Sequence, residues 1–74
     1  MIDPYIDAVN ELEWAKKSYP PMASPHEGYA IIREELDELW EEIKKKPSAR
    51  DAKKMRAEVI QIAAMALRFA EDLC

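Results

Sequence analysis

The stretch SPHEGYAIIREELDELWEEIKKKP, residues 24–47, contains both a beginning and an end for one long helix. Ser24 is followed three positions later by Glu27, and this capping-box pattern is typical of a helix N-terminus. Pro47 cannot continue a helix, and the three lysines before it suit the negative end of the helix dipole. We therefore predict a helix over residues 25–46.

Similar signals divide the rest of the chain. Asp3 precedes a proline, which is the order of an N-cap and a first helical residue, and it predicts a helix over residues 4–18. SARD, residues 48–51, repeats the N-cap pattern and predicts a third helix over residues 49–73. The single glycine and the abundance of Ala, Leu, Glu and Lys also favour helices. We predict an all-α fold of three helices.

Composition limits the class of protein. With 74 residues, of which 49% are hydrophobic, the chain has the size and character of one folded domain, residues 1–74. A net charge of −4 argues against a partner such as duplex nucleic acid, which binds to basic surfaces. No apolar run has the length of a membrane span, and the single Cys74 cannot form an internal disulfide. We expect a cytoplasmic protein with no membrane partner.

The two long helices have different apolar patterns. The second has one apolar stripe: Tyr29, Ile32, Leu36, Leu39, Trp40 and Ile43. The third has a main apolar face: Met55, Val59, Ile62, Met65, Ala66, Phe69 and Leu73. It also has a nearly opposite one: Ile60, Ala64 and Leu67. Because both faces need a cover, we predict a homo-oligomer, like a four-helix bundle, with the third helix at the interface.

One acid lies on an apolar face. Glu58 lies between Met55 and Ile62 on the main apolar face of the third helix. Desolvating an unpaired carboxylate costs several kcal/mol, so this one must be protonated, paired with a cation or bound to a metal. The cation would be a lysine or arginine of a neighbouring helix, for example Arg33 of the second helix.

The position of Glu58 along its helix matches that of other acids. The short connection at Pro47 predicts antiparallel packing of the second and third helices. Glu58 is eleven residues after this proline, and Glu38 and Glu35 are nine and twelve residues before it. At about 1.5 Å per residue, the three acids lie at similar heights. Converging carboxylates without a His or Cys set favour Mg²⁺ or Mn²⁺.

These residues resemble a known family. EELDE, residues 34–38, fits the EExxE motif of the MazG-type all-α nucleoside triphosphate pyrophosphohydrolases, and EVIQ, residues 58–61, stands where the family has ExxD. The second and third helices are similar to the small MazG-like proteins of phages and prophages. The resemblance implies a helical-bundle dimer or tetramer. It also implies Mg²⁺-dependent cleavage of a nucleoside triphosphate into a monophosphate and pyrophosphate.

The resemblance also assigns roles to residues. It implies metal ligands at Glu35, Glu38, Glu58 and Gln61, and makes Glu34 a further ligand or the base for the attacking water. Gln61 stands where the family usually has Asp. A glutamine offers a neutral carbonyl oxygen, so metal affinity should fall, and the rate should fall too if the Asp helps to activate water.

A few other side chains are weaker candidates for contacting the substrate. Lys54, Lys53 and Lys16 are candidates for binding the distal phosphates, although solvated lysines are the simpler interpretation for each. Trp14 is a candidate for stacking on a base, with core packing as its alternative. We expect Glu41 and Glu42 to be solvated.

Three functions remain open from the sequence. The first is a nucleotide pyrophosphohydrolase. The second is a MazG-like bundle that binds metal or nucleotide with weak or no turnover because of Gln61. The third is a structural helical module for protein interaction, in which the acids form a solvated face. Burial of Glu58 separates the third function from the other two.

Overall fold

The computed structural model describes residues 3–74, and all regular structure in this range is helical. The elements are α1 (Pro4–Ser18), α2 (Pro25–Ile43), a 3-10 turn (Pro47–Ala49) and α3 (Ala52–Leu73). The range contains three α-helices and no strand, which confirms the predicted all-α class. None of these helices is both long and apolar enough to cross a bilayer.

The first two helices begin at side-chain caps. The Asp3 carboxylate accepts a hydrogen bond from the Tyr5 backbone N–H at 2.8 Å. The Ser24 hydroxyl accepts one from the Glu27 N–H at 3.1 Å, and the Glu27 carboxylate accepts one from the Ala23 N–H at 3.3 Å. The Glu27 side chain therefore accepts from Ala23, the residue before the N-cap, and not from the N-cap Ser24 itself. Each cap satisfies an N–H that has no partner within its helix.

The third helix begins later than the sequence predicts. It starts at Ala52, because Asp51 is the N-cap and its carboxylate accepts hydrogen bonds from the N–H groups of Lys53 and Lys54 at 2.9 and 3.3 Å. Ser48, the expected cap, lies within the 3-10 turn. The predicted start at residue 49 is therefore wrong, since the aspartate of SARD replaces the serine as the cap.

The second helix ends at Ile43, three residues before the predicted end. Arg50 Nε donates to the Ile43 carbonyl oxygen at 2.8 Å and satisfies one of the free carbonyls at the helix end. Glu42, expected to be solvated, is only 1% exposed. Its carboxylate accepts hydrogen bonds from the Asp51 N–H and from Lys45 Nζ, both at 3.0 Å. The turn between α2 and α3 is therefore organised by a buried acid.

Helix α3 lies between the other two helices and runs parallel to α1. Near the start of both, Asp7 pairs with Arg56 at 2.7 Å, and near their ends Glu71 pairs with Lys16 at 3.0 Å. Over residues 3–74, no Cα atom of α1 lies within 8 Å of a Cα atom of α2. Both helices pack on α3, and an open cleft separates them.

Helix α2 packs antiparallel on α3, as the short connection predicts. Glu42 contacts the start of α3, and Gly28, at the other end of α2, lies against Phe69. A Cβ atom on Gly28 would come within 2.5 Å of the Phe69 ring and 3.1 Å of Leu73. The absence of a side chain at Gly28 therefore permits a close approach of the two helices at this end.

The apolar stripe of α2 does not face α3 as a whole. Tyr29, Leu36 and Trp40 are 62%, 45% and 57% exposed, so this part of the stripe is not covered by the rest of the chain. The buried residues of α2 are Gly28 and Glu42. The close approach at the glycine and the capping bond of the glutamate turn this face of the helix toward α3.

A buried arginine connects α1 and the following segment to α3. Arg68 is 5% exposed, and its guanidinium donates hydrogen bonds to three carbonyl oxygens and to a carboxylate. The acceptors are Ala15 (3.1 Å), Tyr19 (2.8 Å), Pro20 (2.6 Å) and Asp72 (3.2 Å). The Asp72 carboxylate also accepts from the Met22 N–H at 2.9 Å. Arg68 and Asp72 together hold the α1–α2 connection on α3.

Helix α1 covers the second apolar side of α3. Ala64, on that side, is fully buried, and it lies one turn before the Arg68 that contacts α1. The core residues of α1 are Ala8, Leu12 and Ala15. Val59 and Leu67 of α3 stay exposed. The chain therefore covers two sides of α3 and leaves a third strip open.

We predict that replacing Arg68 by Met lowers the free energy of unfolding by roughly 3–5 kcal/mol, because it leaves the partly buried Asp72 without its cation and three carbonyls without donors. Urea unfolding followed by circular dichroism measures the change. Lys17→Met, which removes an exposed cation of α1, should change stability by less than about 0.5 kcal/mol. Equal effects of the two substitutions would contradict the role of Arg68.

Candidate metal centre

Three carboxylates meet where α2 packs on α3. Glu35 and Glu38 come from neighbouring turns of α2, and Glu58 comes from α3. One oxygen atom from each lies within 4.8 Å of the others. Antiparallel packing places the three acids at the same height, as the sequence predicts. We call Glu35, Glu38 and Glu58 the acid cluster.

One oxygen of the Glu58 carboxylate lacks a hydrogen-bond partner. This atom, Oε2, is also shielded from solvent. Arg33, the cation considered from the sequence, contacts Asp37 at 3.2 Å and the Tyr29 hydroxyl at 3.3 Å instead. Pairing with Arg33 is therefore wrong. Among the described residues, no lysine or arginine lies within ion-pair distance of Glu58, which leaves a proton or a metal ion as the means of stabilising it.

Two members of the acid cluster, Glu35 and Glu58, hold protons more tightly than isolated carboxylates do. Burial, together with the charges of Glu38 and Glu58, raises the pKa of Glu35 from its ordinary value of 4.5 to about 7. Burial also raises the pKa of Glu58; Glu38 reinforces this shift, and Glu35 and Lys54 oppose it. Near neutral pH the cluster is therefore stabilised by binding a positive charge, and a divalent cation could provide it.

Gln61 lies at the edge of the acid cluster. With its amide oriented by its hydrogen-bond partners, Nε2 donates to the two carboxylate oxygens of Glu35 at 2.8 and 3.2 Å. In this orientation the side chain acts as a donor to a carboxylate. Its carbonyl oxygen would have to turn toward the cluster before it could act as the metal ligand implied by the resemblance.

A hollow of about 560 Å³ opens beside the acid cluster, between α1 and α2. Glu34, Glu35 and Gln61 line it near the cluster, and Trp14 and Met65 supply apolar wall. The Trp14 ring is exposed and meets Tyr19 edge-on at 5.8 Å between centroids, so it does not belong to the core. The hollow brings together the candidate base, Glu34, and the candidate stacking residue, Trp14.

A second hollow, of about 440 Å³, adjoins the first. The two have three wall residues in common, Glu11, Trp14 and Gln61. The second is completed by residues near the starts of α1 and α3, among them Asp7 and Arg56. We call the two hollows together the groove.

The three candidate lysines do not line the groove. Lys16 pairs with Glu71 at 3.0 Å and Glu13 at 3.7 Å, and Lys54 lies 3.9 Å from Glu42. Lys53 is exposed at the start of α3. The structure brings none of these ammonium groups onto the walls beside Glu34 and Trp14.

Two arginines on the groove walls were not predicted from the sequence. They are Arg68 in the first hollow and Arg56 in the second. Arg68 follows Ala64 by four residues on an apolar side of α3, so its position carried the same signal as that of Glu58. Arg56 carried no such signal, because its surroundings depend on where α1 packs.

Comparison of the chain with protein-family models, with curated proteins and with solved structures found no match. The resemblance to the MazG-type family therefore depends on the motifs of α2 and α3 and remains a prediction.

The raised pKa of Glu35 predicts a pH-dependent stability in the absence of divalent metal. Between pH 4.5 and about 7 the folded chain keeps a proton that the unfolded chain releases, so this contribution to stability is lost as pH rises through that window. Glu35→Gln removes the loss. We therefore expect the variant to gain stability relative to the unsubstituted chain between pH 5 and pH 8.

Urea unfolding at several pH values, with a chelator present, tests this expectation. Glu41→Gln is the matched control, since Glu41 is an exposed acid of the same helix outside the acid cluster. Its stability should follow that of the unsubstituted chain across the range. Parallel curves for Glu35→Gln and Glu41→Gln would rule out proton binding at Glu35.

Proposed function

We propose that the chain is a Mg²⁺-dependent nucleoside triphosphate pyrophosphohydrolase of the MazG type, with Mn²⁺ as an alternative metal. The observation that carries the proposal is the shielded, unpartnered Oε2 of Glu58 within the acid cluster. The cluster lies beside a hollow with acidic and aromatic walls. The substrate would be a ribo- or deoxyribonucleoside triphosphate, and the products its monophosphate and pyrophosphate.

A cation suits the acid cluster better than a proton at neutral and alkaline pH. A proton on Glu35 relieves the repulsion among the acids only up to about pH 7. A divalent ion relieves it above that pH as well, and carboxylate oxygens are the ligands that Mg²⁺ and Mn²⁺ prefer. Glu35, Glu38 and Glu58 would hold the ion, and Gln61 would add a neutral oxygen after turning its amide.

The residues around the acid cluster supply the other parts of the reaction. Bound Mg²⁺ supplies charge neutralisation on the phosphate oxygens. Glu34, on the wall of the first hollow, accepts a proton from the water whose oxygen attacks the α-phosphorus. The bond from that phosphorus to the α,β-bridging oxygen breaks, and pyrophosphate leaves with the bridging oxygen. The Trp14 ring offers a surface for stacking the base.

A panel of eight common nucleoside triphosphates, each assayed for pyrophosphate release with Mg²⁺ and with Mn²⁺, tests the proposal. We expect release from at least one. Glu38→Gln should reduce the rate by at least about tenfold, because it removes a charged ligand. Glu41→Gln removes an exposed acid of the same helix and should leave the rate unchanged. No release from any nucleotide with either metal would contradict the proposal.

A second candidate function is a MazG-like bundle that binds metal and nucleotide but turns over weakly. The observation that favours it is the Gln61 amide, which donates to Glu35 where the family motif would place a carboxylate. Gln61→Asp, included in the same panel, separates the two functions. A large gain in rate on this substitution would support weak native turnover, whereas little change would favour the first function.

We also propose that the chain forms a homodimer or homotetramer. The exposed side chains of Tyr29, Leu36 and Trp40 recur at helical spacing and form one apolar face of α2, and Val59 is exposed on α3. A second copy of the chain would cover these residues by packing α2 and α3 against their equivalents. If the chain is instead a structural module for protein interaction, the same apolar face of α2 would contact the partner.

Sedimentation velocity at micromolar concentration measures the oligomeric state. We expect a dimer or tetramer, and we expect Leu36→Lys combined with Trp40→Lys to shift the chain toward monomer, because charged groups resist burial. Ile6→Lys adds a charge at an exposed apolar position of α1 and should leave the assembly intact. A stable monomer of the unsubstituted chain would contradict the proposal.

A further inference from the structure

Arg56, like Glu58, has a buried polar atom without a hydrogen-bond partner, but its side chain is a cation. Its Nη1 donates to the Asp7 carboxylate at 2.7 Å, while its Nη2 is shielded from solvent and has no acceptor. Over residues 3–74, Arg56 Nη2 and Glu58 Oε2 are the buried side-chain atoms that lack a hydrogen-bond partner. One belongs to a cation and the other to an acid, two residues apart on α3.

The groove connects the surroundings of these two residues. Glu35, which belongs to the acid cluster, lines the first hollow, and Arg56 lines the second. Gln61 lines both and contacts Glu35, so it lies between the acid cluster and the second hollow. An elongated anion that reached from a metal at the cluster past Gln61 would meet Arg56.

Arg56 is the cation of the groove that remains available to a ligand. Among the described residues, the basic side chains on the groove walls are Arg56 and Arg68. Each nitrogen of the Arg68 guanidinium already donates to a backbone carbonyl or to Asp72. The candidate lysines do not line the groove. Arg56, in contrast, has a buried guanidinium nitrogen, Nη2, without a partner.

We propose that Arg56 binds the distal phosphates of the substrate and the pyrophosphate product, and this inference rests on the proposed function. Phosphate oxygens match the planar donor fork of a guanidinium group. Asp7 holds the group through Nη1 and leaves Nη2 for the ligand. The side chain is 39% exposed and lines the second hollow, and ligand binding there would turn Nη2 toward the phosphate.

Isothermal titration with inorganic pyrophosphate in the presence of Mg²⁺ tests this assignment. We expect Arg56→Gln to weaken binding by about tenfold or more, the loss that follows from removing a charge-assisted hydrogen bond. Lys17→Gln makes the same change in net charge at an exposed site outside the groove and should leave the affinity unchanged.

Asp7→Asn separates ligand binding from a purely structural role. It breaks the same ion pair as Arg56→Gln but keeps the guanidinium. We expect both variants to lose a similar amount of stability in urea unfolding, whereas Asp7→Asn keeps its affinity for pyrophosphate. If Asp7→Asn loses as much affinity as Arg56→Gln, the pair is structural and the inference is overturned.

The activity panel distinguishes failure of this inference from failure of the proposed function. If the chain hydrolyses a triphosphate and Arg56→Gln retains full affinity for pyrophosphate, the assignment of Arg56 alone is wrong. If pyrophosphate binding depends on Arg56 but no triphosphate is hydrolysed, the phosphate site stands and the proposed catalysis fails. The absence of both pyrophosphate binding and hydrolysis would overturn both.

Discussion

The hydrogen bonds of Arg68 hold the arrangement of the three helices. This buried guanidinium joins the last turn of α1 and the segment that follows it to α3, with Asp72 as its counter-charge. An unpaired buried charge costs several kcal/mol, so the acceptors have to stay in place together. Because α1 is attached to α3 in this way and does not pack on α2, a groove remains open between α1 and α2.

The register of α2 on α3 then determines what lines that groove. Gly28 permits a close approach to Phe69 at one end, and Glu42 caps the start of α3 at the other. Between these two contacts, Glu35 and Glu38 come level with Glu58. The repulsion among the three acids is an energetic cost within an otherwise ordinary helical hairpin. A bound metal ion would offset this repulsion, and for this reason we propose a metal site at the acid cluster.

The sequence predicts the parts of this structure that follow from local rules. Caps and prolines locate the three helices, and a short connection with helical periodicity brings Glu58 level with Glu35 and Glu38. The rest depends on contacts between distant segments. The packing face of α2 is determined by its fit to Phe69, and the exposure of Trp14 and the environment of Arg56 depend on where α1 lies. The predicted start of α3 is wrong because two side chains three positions apart, Ser48 and Asp51, could each act as its cap.

The central claim is that the acid cluster binds a divalent cation, and paramagnetic broadening by Mn²⁺ tests it most directly. In an amide NMR spectrum of the ¹⁵N-labelled chain at pH 8, substoichiometric Mn²⁺ should first broaden the signals of residues around Glu35, Glu38 and Glu58. Signals around Glu13 and Glu71, acids elsewhere on the surface, should persist. Broadening that spreads evenly over all acidic positions, or no broadening at the cluster, would contradict the account.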